Sequence, residues 1–155
     1  MALPLLNGRH VATLATQRAD GSIHLAAIWY LYQEGLLYFP TSSASQKARN
    51  VLRTPTASAM IDSRVPGQEQ GVSVSGSATI IAGERGRALV AEAQQRYLTA
   101  KAIADPKVGP AYARFDDVVI ALTPERWTTW DIAQMNANNF DGILSVNSGY
   151  LFPYD

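Results

Sequence analysis

Apolar and polar positions alternate with a period of two through much of the first half of the chain. Val11 to Thr16 sets Val, Thr and Leu between alanines and predicts a strand. After Asp20-Gly21 the alternation resumes from Ile23 to Tyr32, so the two segments predict a hairpin. Gln33-Glu34-Gly35 turns the chain into a third strand, Leu36 to Thr41, completing a meander. The period then changes. Ser45 to Arg53 predicts a short helix, halted at Thr54-Pro55 because the residue before proline resists helical geometry. Thr56 to Asp62 and Gly71 to Ile81 predict two more strands, separated by a loop marked by Pro66-Gly67. Leu89, Ala93, Tyr97, Ala100 and Ala104 recur at spacings of three or four and predict one longer helix, Arg87 to Ala104, ended by Asp105-Pro106. Asp117 to Leu122 and Trp127 to Ile132 predict two last strands joined by Thr123-Pro124-Glu125.

Six or seven strands with short turns and few helices predict a mainly β, mostly antiparallel barrel. Residues 1–132 form that barrel domain. Residues 133–155 form a tail rich in turn residues and apolar side chains, expected to be ordered where it docks on the barrel or on a partner subunit. Ser73, Ser75 and Ser77 share one strand face, which suits a cavity lining, a dimer seam or a plain exposed surface.

Composition narrows the function classes. The 155 residues are enough for one domain with a real core, and 47% hydrophobic with 17% charged residues is a globular composition. Thirteen basic residues balance thirteen acidic ones, so charge gives no case for nucleic acid or an anionic membrane. No apolar run reaches the roughly 20 residues of a membrane helix. The apolar start, Met1 to Leu6, is stopped too early by Asn7, Gly8, Arg9 and His10 to read as a signal peptide, and a cytoplasmic protein is expected. The absence of cysteine removes thiolate catalysis, disulfides and zinc–sulfur sites.

One segment, residues 39–53, concentrates the candidate chemistry. An apolar strand enters four hydroxyl residues, Thr41, Ser42, Ser43 and Ser45, and a helix then opens with Lys47 and Arg49 in its first turns. Hydroxyls, free helix N–H groups and cations at one point are the chemistry of a phosphate site. A helical wheel puts Ala44, Ala48, Val51 and Leu52 toward the core, Lys47 and Arg49 on opposite flanks, and Arg53 in solvent. The competing reading is a capped basic surface helix, since Ser43 or Ser45 is a good N-cap whatever else binds. Elsewhere, His10 and His24 lack nearby carboxylates and predict no metal site. Trp127 and Trp130 lie three apart, so only one of them reaches any given face. Asp116-Asp117 reads as a solvated strand start, and Gln68, Glu69 and Gln70 as a loop.

Several short motifs in order carry a resemblance: Ala12-Thr-Leu-Ala-Thr16, Asp20-Gly-Ser22, Ala27-Ile-Trp-Tyr30, Leu37-Tyr-Phe-Pro-Thr41, Ser45-Gln-Lys-Ala-Arg-Asn50, Arg53-Thr-Pro55, Val74-Ser-Gly-Ser-Ala78 and Trp127 to Asp131. Over residues 5 to 131 the chain resembles the pyridoxamine 5′-phosphate oxidase-like split-barrel flavoproteins, within them the flavin- and deazaflavin-dependent reductases. The resemblance implies a Greek-key-like split β-barrel and a homodimer with two cofactor sites in the subunit interface. It implies a cofactor phosphate on Thr41, Ser42, Ser45, Gln46 and Lys47, with Arg49 and Asn50 completing the site. The cofactor ring would lie along Ala26 to Trp29, held by the backbone of Ala27, Ile28 and Trp29, with Trp127 or Trp130 of the other subunit, Trp130 foremost, covering it. The cofactor implied is FMN or coenzyme F420, and the activity is hydride or electron transfer to a small organic substrate. No side chain is assigned a catalytic role, because such cofactors carry the redox chemistry themselves. The second strand has no arginine and the tail after Asp131 neither arginine nor histidine, which departs from true pyridoxamine phosphate oxidases. The alternative within the same fold is a non-catalytic module that holds flavin, haem or a tetrapyrrole.

Overall fold

The computed structural model describes residues 3–155. Met1 and Ala2, the first residues of the short apolar start, lie outside the described residues. The elements run α1 (Leu3–Asn7), β1 (Ala12–Gln17), β2 (Ile23–Ile28), β3 (Leu31–Gln33), β4 (Leu36–Thr41), α2 (Gln46–Arg53), β5 (Thr56–Ser63) and β6 (Gln70–Ile81). They continue with α3 (Gly83–Tyr97), α4 (Ala100–Ala104), α5 (Val108–Phe115), β7 (Val118–Asp131) and α6 (Ile132–Phe140).

All seven strands form one antiparallel sheet in the order β2-β1-β5-β6-β7-β4-β3. The β1–β2 hairpin therefore lies at one edge and the β3–β4 hairpin at the other, and the expected three-strand meander is corrected. Only Trp29 and Tyr30 separate β2 from β3. Two residues cannot cross a flat seven-stranded sheet, so the sheet curls until its edges meet without pairing, which is a split barrel.

Tyr30 is held in the seam by side chains instead of a strand. Its backbone N–H donates to the Tyr97 hydroxyl at 3.3 Å, and that hydroxyl donates to the His10 carbonyl at 2.7 Å. The Tyr30 hydroxyl reaches the Leu5 and Gly8 carbonyls, each at 3.2 Å, and burial pushes its pKa up to about 12. The alternation read through this point as one strand is real. Side-chain partners took the hydrogen bonds of the ladder at Tyr30, and no periodicity reports that.

The barrel interior is filled by Leu14, Tyr30, Leu37, Phe39, Ile61, Val72, Ile120 and Leu122, with Leu5 and Leu6 of α1 closing one end. A second cluster sits outside, where Leu89 and Val90 of α3 pack on Tyr38, Val119 and Ala121.

Other expected boundaries shift for identifiable reasons. The helix expected over Arg87 to Ala104 is two helices. Thr99 starts a new one by accepting the Ala102 N–H at 3.2 Å, a cap hidden inside a continuous apolar stripe. The two strands expected at the end are one, β7. Glu125 is the extra residue of a bulge opposite Ser75-Gly76, and it accepts the Ser77 N–H at 3.0 Å. Pro124 is accommodated there because a bulge releases the ladder. Besides α1, two helices had no clear sequence signal. In α5, Gly109-Pro110 reads as a breaker, yet proline is tolerated in a first helical turn. In α6, Asp131 caps the helix directly from the last strand residue by accepting the Gln134 N–H at 2.9 Å. The tail docks on the loop before β6. Asn136 is buried and brackets Leu144, donating to its carbonyl at 2.9 Å and accepting its N–H at 3.0 Å.

Candidate functional site

The two unpaired edges of the barrel leave a cleft of about 330 Å³ between them. Val11, Ala27, Ile28 and Trp29 line it from the β1–β2 side, and Pro40, Thr41 and Lys47 from the β4–α2 side. Tyr112 and Asp116 enter from α5 and the residue just after it. Pro40 sits where β4 has run past the end of β3. β2 is an edge strand, so the outward N–H and C=O groups of its residues face no neighbouring strand.

The helix α2 is specified locally. Ser45 caps it by accepting the Ala48 N–H at 3.2 Å and in turn accepts the Thr41 hydroxyl at 3.0 Å. Ala48 and Val51 are buried as the wheel predicts, but Leu52 is 70% exposed and Ala44 is exposed, and Asn50 takes the third inward position. Asn50 donates to the Thr16 hydroxyl at 3.0 Å and accepts from Gln46 at 2.8 Å and Arg53 at 3.2 Å. Arg53, expected in solvent, also donates to the Gln17 carbonyl at 2.6 Å and ties the helix to β1.

Of the residues singled out in the sequence, Ala27, Ile28, Trp29, Thr41 and Lys47 meet in this one cleft. Lys47 is partly buried and has no hydrogen bond or ion pair among the described residues. The others lie around it with partners of their own. Ser42 accepts the Ala44 N–H at 3.2 Å, and Gln46 bridges Asn50 and Arg49. The Arg49 guanidinium turns back to the Ala44 carbonyl at 2.9 Å and to Gln46 at 3.3 Å. Trp130 lies in a separate cleft with Leu5, Gln70 and Gln134, its ring against Gly71. Trp127 is 43% exposed on the neighbouring stretch of β7.

Trp29 stacks parallel to Tyr97, with centroids 4.8 Å apart, and to Tyr112, 5.6 Å apart. The indole is thus a fixed wall between α3 and α5. Tyr112 in turn is placed by Gln94 of α3, which donates to its carbonyl at 2.8 Å.

Asp116 is the residue the sequence reading missed. It was expected to be solvated beside Asp117, and the two carboxylates in fact part company. Asp117 accepts the Ser43 hydroxyl and N–H, both at 2.7 Å, and these bonds hold its pKa below the usual carboxylate range. Asp116 turns into the cleft. Burial pushes its pKa up, Lys47 draws it down and Asp117 adds a smaller upward push. No local signal marks it, because the fold alone brings the end of α5 to the split.

His24 accepts from Arg18 at 3.0 Å, and burial, then Arg18 and Lys47, lower its pKa. Among the described residues no cluster of three or more metal-ligating side chains occurs, and no helix is long and apolar enough to cross a membrane.

No curated protein matches the chain. Solved structures do. The conserved hypothetical protein Rv2991 from Mycobacterium tuberculosis is 27% identical, over 86% of this chain and 84% of that one, with a TM-score of 0.71. An F420 reductase is 25% identical, over 81% of this chain and 94% of that one, with a TM-score of 0.60. The heme storage protein HutZ from Vibrio cholerae shares the fold at 15% identity, over 83% of this chain and 90% of that one, with a TM-score of 0.61. Residues 2–131 match the pyridoxamine 5′-phosphate oxidase family, nearly the stretch that carried the motifs. With the split barrel in place as well, the chain belongs to the pyridoxamine 5′-phosphate oxidase-like split-barrel family.

Proposed function

We propose that the protein is an oxidoreductase that binds FMN or coenzyme F420 in the cleft at the barrel split and reduces or oxidises a small organic substrate. The observation that carries this reading is the Lys47 ammonium, which has no hydrogen bond or ion pair among the described residues and is partly buried at the start of α2 in a cleft whose other wall is the free edge of β2. A partly buried ammonium that forms no ion pair with a neighbouring carboxylate favours an anionic ligand. Outward backbone groups on an edge strand offer donors and acceptors to a heterocycle's polar rim. The residues therefore fit an elongated ligand with an anionic end and a planar end. The similarity to an F420 reductase supports the same class.

In this reading Lys47 and the α2 N-terminus hold the phosphate, with Thr41 and Ser45 bracing that end through their mutual hydrogen bond. Ala27 and Ile28 present backbone to the ring, and Trp29, fixed by Tyr97 and Tyr112, limits how far the ring enters. When bound, the cofactor supplies hydride or electron transfer, and the chain supplies binding, orientation and exclusion of water. The working unit is a homodimer. Val11, Ile23 and Leu25 are 51%, 56% and 63% exposed on the β1–β2 edge, beside a second cleft of about 450 Å³ lined by Ala15, Ser58, Ser75 and Arg126. Trp130 of one subunit would cover the other's cofactor.

The test is absorbance of the purified protein before and after adding FMN or F420, followed by titration of Lys47→Ala. The expected result is a flavin or deazaflavin spectrum and affinity at least about tenfold weaker in the variant, with an unchanged melting temperature. A Soret band in place of either spectrum would select the non-catalytic haem-binding reading. Unchanged affinity would remove Lys47 from the anchor.

A further inference from the structure

Lys47 shares its cleft with a carboxyl that has no hydrogen-bond or ion-pair partner among the described residues, Asp116. Both side chains are partly buried, and their charged atoms are not within the 4.0 Å of an ion pair. The remaining cations of α2 are committed elsewhere: Arg49 to Ala44 and Gln46, Arg53 to Gln17 and Asn50. The cleft thus holds one free positive charge and one free negative charge facing the same space.

We propose that Asp116 is a specificity-determining residue, setting the cleft to accept a singly charged phosphodiester and to disfavour a doubly charged phosphate monoester. This rests on the cofactor reading above and chooses between its two candidates. A diester carries one negative charge, which Lys47 alone compensates. A monoester carries between one and two near neutrality, because its second pKa is about 6. The second charge finds no further cation among the described residues that line the cleft and is repelled by the Asp116 carboxylate across a partly dehydrated space. FMN ends in a monoester, whereas the phosphate of F420 is a diester.

The balance is also titratable. The charged and titratable groups around Asp116 are Lys47 from α2, Asp117 beside it and Tyr112 from α5. Asp117 is already engaged by Ser43. Protonation of Asp116 removes the one negative charge that lines the cleft among the described residues and relaxes the discrimination.

The experiment is fluorescence titration of wild-type protein and Asp116→Asn with FMN and with F420 between pH 5 and pH 8. At the upper end the variant should bind FMN roughly tenfold more tightly than wild type, with a much smaller change for F420. The gap for FMN should close as pH falls. An equal change for both cofactors, or a gap constant with pH, would overturn the proposal. If neither cofactor binds wild-type protein, the cofactor reading has failed, and the selectivity is then decided with phenyl phosphate and methyl phenyl phosphate. Amide shifts of α2 report that binding. A gain in the variant confined to the monoester supports the role of Asp116, and no such gain overturns it.

Discussion

Asn50 shows how position on a helix separates a ligand contact from a structural tie. It belongs to the motif that carries the phosphate reading, yet it is fully buried and bonded on both sides of its amide. A buried amide that satisfies a threonine hydroxyl is worth more as a tie than its neighbours in the motif, because removing it orphans its partner. Asn50→Ala should lower stability by about 1–3 kcal/mol, read from urea unfolding, by stranding Thr16 and opening a small void. Cofactor affinity per folded molecule should change little. A variant of wild-type stability that no longer binds would return Asn50 to the site. Lys47, three residues earlier, is the converse case: among the described residues it has no hydrogen-bond or ion-pair partner to strand.

At the scale of elements, the link between β2 and β3 is the part least legible in the sequence. Its residues alternate like strand residues, and the break is made by Tyr97, distant in sequence, whose hydroxyl takes the Tyr30 N–H. Tyr97→Phe keeps the ring and its stack on Trp29 but removes that acceptor. It should cost about 1 kcal/mol and speed amide exchange at Tyr30 well above neighbouring core amides. Unchanged exchange there would mean the seam is held some other way. β1, β5 and β6 were legible because apolar inward residues alternate with polar or small outward ones, and β4 because a short apolar run is bounded by Gly35 and the serines. α2 was legible because its cap and its stop are local, Ser45 and Pro55. The helices α5 and α6 were not, since one opens through Gly109-Pro110 and the other takes its cap from a strand. Of the cleft, the wall made by Thr41 and Lys47 could be read from one segment. Asp116 and Tyr112 could not, because the fold alone brings a distant helix to the split.

At the scale of the molecule, the chain carries apolar surface on the β1–β2 edge that the subunit does not cover, and a second cleft beside it. Light scattering after size exclusion should give twice the 16.8 kDa chain mass. Leu25→Glu should shift the protein to one chain while leaving its far-ultraviolet circular dichroism intact, since Leu25 packs little within the subunit. A wild-type monomer, or a variant dimer of undiminished affinity, would place the subunit contact elsewhere.

The two-residue link also fixes how the cleft can vary. From Ile28 to Leu31 the backbone spans at most about 11 Å, so the edges of the sheet cannot part further than this at that point. Away from it, α2 is tied to β1 by the side chains of Asn50 and Arg53, and the end of α5 is tied to the β4–α2 segment by the Asp117 N–H on the Thr41 carbonyl and by the Asp117 carboxylate on Ser43. In the proposed reading the split is a pair of dividers with a set pivot: the planar part of the cofactor would meet a slot of constant gauge, and its charged part jaws that a few substitutions can reset. A family built on this barrel would keep its ring slot and change its clientele at the far end, where Lys47 and Asp116 stand.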